Sequence, residues 1–101
     1  MEIILNFPEL KFECADVFMW EPENHVVTYD PKRIESERGK FMLLHEIGHA
    51  RLDHYETADA LLYRIEREAW DEARTLALRF GVKVDHLFIS RKLRELRRLG
   101  Y

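Results

Sequence analysis

His45-Glu46-Ile47-Gly48-His49 sets two imidazoles four residues apart, with a carboxylate directly after the first. On a helix, residues i and i+4 project from one face, so His45 and His49 can grip a single cation while Glu46 reaches a water beside it. A cation held in this way polarises a carbonyl and acidifies water, and Glu46 is the group placed to take the water's proton and return it to a leaving amine. The spacing predicts metal-assisted hydrolysis of a peptide bond. Such a short pattern also arises by chance in unrelated helices, so its weight depends on what surrounds it.

Two histidines leave a catalytic zinc one ligand short, because such an ion takes three protein groups and keeps a fourth position open. The third ligand is expected on the next helix. Its apolar stripe runs through Leu62, Ile65, Ala69, Ala73, Leu76, Ala77 and Phe80, and Glu66 stands in the middle of it. A buried carboxylate without a partner is costly or takes up a proton, and a cation removes the conflict. Glu66 is therefore the first choice, with Glu68, nearer the edge of the stripe, as the second. Asp53 suits a supporting role better, since it shares a helix with both histidines. His54 falls one residue short of the third histidine in the longer H-E-x-x-H-x-x-G-x-x-H pattern, and Leu52 occupies that pattern's glycine. Zinc is the expected ion, although histidine and carboxylate also suit manganese, iron or cobalt. A donor for the tetrahedral oxyanion is needed as well. His54, Tyr55, Tyr63 and Arg51 are candidates that the sequence leaves unranked.

The elements that must position these groups fit into one domain of 101 residues. Residues 1–30 read as a small antiparallel sheet. Glu2 to Leu5 is a short strand ended by Asn6-Phe7-Pro8. Val17 to Trp20 and His25 to Tyr29 form a hairpin about Pro22-Glu23-Asn24, joined by Lys11-Phe12-Glu13 or by the first strand. Residues 31–54 hold the motif helix and its lead-in. Asp30-Pro31 or Ser36 starts it, Gly39 marks a turn before the main helix, and the end lies near Asp53 or His54. Gly48 lets something approach the helix beside the histidines, the sheet in the plainest reading. Residues 57–80 form the second helix, capped by Thr57 or Asp59 and stopped by Gly81. Residues 85–99 form a last helix, capped by Asp85 and basic on one side. Trp20 and Trp70 read as core, and Cys14 as a small core or half-buried side chain. The fold class expected is thus α+β and zincin-like, with a C-terminal helix-turn-helix-like pair.

Charge is unevenly spread. Residues 1–74 carry 9 basic and 17 acidic groups, whereas residues 75–101 carry 7 and 2. Arg91, Lys92, Arg94, Arg97 and Arg98 crowd the last helix. A basic end either packs on the acidic body or meets an acidic partner, nucleic acid included. With a single cysteine, no signal-peptide pattern and no apolar run of spanning length, a cytoplasmic protein with no membrane association is expected.

Three stretches together resemble the ImmA/IrrE family of metallopeptidases. Thr28-Tyr29 to Phe41, leading into His45-Glu46-Ile47-Gly48-His49-Ala50-Arg51-Leu52-Asp53-His54, is similar to the family's strand, connection and motif helix. Glu66-Arg67-Glu68-Ala69-Trp70-Asp71-Glu72-Ala73 resembles its E-x-E-A-N-x-F-A stretch, with Trp70 and Glu72 departing from the pattern. Leu76 to Gly100 resembles its helix-turn-helix-like end, without the intervening L-L-M-P segment. The resemblance implies a minimal version of that domain, lacking its N-terminal helix, with Glu66 as the carried-over ligand. It further implies a protein substrate of regulatory kind, such as a repressor or a toxin-antitoxin component. The rival from a different class is a non-catalytic module, stabilised by its metal, whose basic helices contact DNA or a partner protein.

Overall fold

Ser36, not Asp30, opens the motif helix. Its hydroxyl oxygen accepts the Gly39 amide at 2.9 Å, and the helix α2 runs from Glu37 to Arg51. Asp30 nucleates only a turn, accepting from the Lys32 amide at 2.9 Å, and that turn folds back on the helix start. Gly39 is required there, because a Cβ would fall 1.7 Å from the Arg33 carbonyl oxygen. The helix ends at Leu52, and Asp53 takes a left-handed φ of 54°.

The computed structural model describes residues 2–54 and 62–101. These form a mixed α+β fold with a three-stranded sheet and four helices. Strands β1 (Lys11–Cys14), β2 (Met19–Glu21) and β3 (Val26–Tyr29) lie in the order β1-β3-β2. The hairpin expected at Trp20 and Val27 is present, with those residues paired across β2 and β3. Its turn closes through His25, whose φ is 55°. The sheet is not purely antiparallel, however: β1 joins the other side of β3 in parallel, with Phe12 opposite Val27. Burial explains the order. Val26, Val27 and Thr28 are all buried, so β3 takes the centre, whereas β1 is largely exposed and suits an edge.

Glu2–Leu5 is a single helical turn, α1, and not a strand. An apolar run of three residues carries no readable period, and packing decides its form. Ile3 and Phe7 both turn into the core, while Leu5 is left exposed. Cys14 is exposed too, its thiol donating to the Tyr29 hydroxyl at 3.3 Å, so the core or half-buried position expected for it is not taken up. Trp20 and Trp70 are buried, as their aromatic character suggested.

The second helix, α3 (Leu62–Phe80), packs along α2. The cap residues suggested for it, Thr57 and Asp59, lie outside the described residues. Gly81 ends it with a φ of 67°, and the Val82 amide donates back to the Ala77 carbonyl at 2.9 Å, the bond of a Schellman cap. Asp85 then caps α4 (His86–Arg98) by accepting from the Phe88 amide at 3.0 Å. The connection between α3 and α4 is tied to the start of α2. Glu37 accepts from the Lys83 amide at 2.8 Å, and Arg38 pairs with Asp85 at 3.0 Å. These bonds anchor the N-terminal end of α4 beside α2. Among the described residues, no helix is long and apolar enough to cross a membrane.

Candidate metal centre

The site lies where α2 meets α3. Every residue of α2 from Leu43 to Ala50 is buried, which places the motif in the interior, against α3 on one side and β2 and β3 on another. Gly48 sets the spacing of the two helices. A Cβ there would stand 2.7 Å from the Ala69 carbonyl oxygen, so the close neighbour is the backbone of α3 and not the sheet. Glu66 lies three residues before Ala69 on α3 and thereby reaches both histidines.

His45, His49 and Glu66 bring one ligand atom each to within 4.8 Å of one another. Nε2 of His45 is 2.9 Å from one oxygen of Glu66, and Nε2 of His49 is 3.1 Å from the other. A tetrahedral zinc with bonds of about 2.0–2.1 Å spaces its ligand atoms by about 3.4 Å. The two imidazole-to-carboxylate contacts come within about half an ångström of that spacing, and the three groups lie within 4.8 Å of one another. Glu68 is not part of this group: its Oε1 lies 3.0 Å from Nε2 of His54.

His49, His54 and Glu68 form a chain of two hydrogen bonds, 3.0 Å between the two Nδ1 atoms and 3.0 Å from Nε2 of His54 to Glu68. A carboxylate only accepts, so His54 donates through Nε2 to Glu68, and its Nδ1 accepts from Nδ1 of a neutral His49. That tautomer leaves Nε2 of His49 unprotonated beside Glu66, at 3.1 Å, the form a metal ligand takes.

Electrostatics agree. Burial lowers the pKa of His45, but the carboxylates of Glu46 and Glu66 outweigh it and push the value up to about 9. Burial raises the Glu66 pKa, and the two imidazoles overcome this and hold it well below the usual carboxylate range. Positive charge is thus favoured beside Glu66, supplied by a protonated His45 in the metal-free protein and replaceable by a divalent ion.

Glu46 is buried next to the ligand group and outside it. Its Oε1 accepts from the backbone amide of Trp20 at 2.9 Å. Its Oε2 lies 2.9 Å from Nδ1 of His45, yet off the line a hydrogen bond needs, so this nitrogen is buried without a true partner. What holds the His45 ring is Trp70, stacked on it with centroids 3.7 Å apart. Trp20 also donates through its indole to the His54 carbonyl at 2.8 Å, so strand β2 braces both Glu46 and the turn that follows α2.

The oxyanion candidates fare differently. His54 is used on His49, Arg51 pairs with Glu72 at 3.2 Å, and Tyr63 lies under the Arg97 guanidinium, 4.3 Å from it. Tyr55 lies outside the described residues. Trp70 and Trp20 are the site residues that motif reading missed. Trp70 follows Glu66 by four residues, so its place on the same helix face was legible, whereas the role of the Trp20 amide depends on strand placement alone. Compared with family models, with curated proteins and with solved structures, the chain has no match.

Proposed function

We propose that this chain is a zinc-dependent endopeptidase, a minimal zincin-like domain akin to the ImmA/IrrE metallopeptidases, which hydrolyses a peptide bond in a protein partner. The observation that carries the reading is the convergence of His45, His49 and Glu66 from two helices, with Glu46 beside them and outside the group. Zinc bound there would supply a Lewis acid for the scissile carbonyl and make water a competent nucleophile near neutral pH. His45 and His49 contribute neutral imidazole nitrogens, and Glu66 contributes the charge that keeps the ion in place. Glu46 accepts the proton from the attacking water and delivers it to the leaving amine, a task worth typically ~10²–10⁴-fold. The Trp20 amide fixes one oxygen of Glu46 and leaves the other to exchange the proton. Burial of the site strengthens each of these electrostatic effects. A regulatory protein, such as a repressor or a toxin-antitoxin component, is the proposed substrate, and the cytoplasm the proposed compartment.

A second reading draws on the exposed arginines of α4, Arg91, Arg94, Arg97 and Arg98, as a surface for DNA or an acidic partner, with the metal purely structural. One experiment separates the two. Protein purified without chelator or affinity metal is assayed for bound metal and incubated with candidate regulatory proteins. Glu46→Gln should keep zinc and lose cleavage, and His49→Ala should lose both. Cleavage that survives in Glu46→Gln would overturn the mechanism. Salt-sensitive DNA binding without any proteolysis would favour the second reading.

A further inference from the structure

A cavity of about 360 Å³ opens directly from the site. His45, Glu46 and Glu66 line part of it, and most of the rest is apolar side chains from three helices. Met42 comes from α2, Trp70 from α3, Phe88 and Leu96 from α4, and Leu99 from its C-cap. Beyond the site's own groups, Lys92 and Glu95 are the charged residues that line it. Leu99 is 68% exposed.

From this arrangement we infer that the cavity is the specificity pocket for one large apolar side chain of the substrate, at a residue flanking the scissile bond. The inference rests on the peptidase reading and adds the substrate class to it. Size and continuity argue for this occupant. The volume is at the low end for ligand pockets, enough for one large side chain and its adjoining backbone and too small for a folded segment. The same cavity is lined by these apolar side chains and by the groups that would act on the peptide bond, so a side chain seated there brings its own backbone near Glu46. An acidic side chain gains a partner only if it reaches Lys92, and along the Met42, Leu96 and Leu99 walls it, like an amide, loses its water without gaining one. The amphipathic α4 therefore has a task for its apolar face besides packing, while its basic face stays in solvent.

The test uses the zinc-loaded chain carrying Glu46→Gln, so that binding is read without turnover. Paired peptides that differ at one residue, leucine or phenylalanine against alanine or aspartate, are titrated by calorimetry. The apolar member should bind about 10- to 100-fold more tightly. Leu96→Asp should remove that preference with zinc content unchanged, and Leu99→Asp, at an exposed position that folding tolerates, should reduce it. Wild-type protein is then given the same peptides, and products are identified by mass. Equal binding of apolar and acidic peptides, no binding of either, or a preference that survives both substitutions overturns the pocket. Cleavage without apolar preference overturns it while the peptidase reading stands. Apolar-selective binding with no cleavage by wild type keeps the pocket and sinks the peptidase reading instead.

Discussion

The indole of Trp70 lies flat on the imidazole of His45, with ring centroids 3.7 Å apart and planes within 6° of parallel. A ligating histidine is usually oriented by a hydrogen bond to its second nitrogen, and here that nitrogen has no aligned partner. Stacking takes over the orienting role. Trp70→Leu should therefore weaken zinc binding about 2- to 10-fold, the range expected from losing one aromatic contact, while Trp70→Phe should retain most of it. Zinc titration should also change the tryptophan emission of wild type and have little effect on that of Trp70→Phe. An unchanged affinity in Trp70→Leu would show that the stack is only packing.

His49 is oriented by another route, through Nδ1 to His54 and on to Glu68. Removing a partner of this kind typically costs about 10- to 100-fold in metal affinity. His54→Ala is expected in that range, and Glu68→Gln should cost less, since an amide oxygen can still accept. Competition with a chelating dye measures both. Equal affinities for His54→Ala and wild type would rule out the chain as a support.

Gly48→Ala tests the helix spacing. The added methyl group would meet a backbone oxygen at 2.7 Å and no flexible side chain, so α2 and α3 must part. A loss of about 1–3 kcal/mol is expected, in the range for overpacked interiors. For a domain of this size each kcal/mol lowers Tm by roughly 4–8 °C. Zinc affinity should fall too, because Glu66 moves with α3. Circular dichroism melts with and without zinc give both effects, and an unchanged melting curve would refute the close approach.

Acid-base behaviour of the metal-free protein follows from the His45 and Glu66 pair. The His45 pKa is raised from 6.5 to about 9, so its contribution to stability is full below pH 6.5 and is lost as pH climbs through about 9. Glu66 is shifted the other way: its contribution is present above 4.5 and fades as pH falls through its lowered value. Chelator-treated protein should melt at lower temperature at pH 9.5 than at pH 6.5, and Glu66→Gln should flatten that slope. Zinc loading near pH 7 should release a proton from His45, seen as a dependence of binding heat on buffer ionisation. A flat stability profile in metal-free wild type would contradict the pairing.

Much of the site was legible in residue types and spacing. The i and i+4 histidines share a helix face for geometric reasons alone, and Glu66 stood out because a carboxylate does not belong in an apolar stripe without a cation. The local signals at Gly81 and Asp85 were equally readable, since a left-handed stop and a side-chain cap are chemical properties of those residues. Tertiary packing decided the rest. Nothing local tells that Glu2–Leu5 coils, that β1 pairs in parallel with β3, or that Glu68 goes to His54 and not into the group of His45, His49 and Glu66. The use of Trp20's amide on Glu46 and of Trp70's ring on His45 belongs to the same group. These outcomes depend on which surfaces meet across long stretches of chain. The amino-acid order determined which groups can do chemistry on each helix face, and three-dimensional contact alone determined what stands on the other side of them.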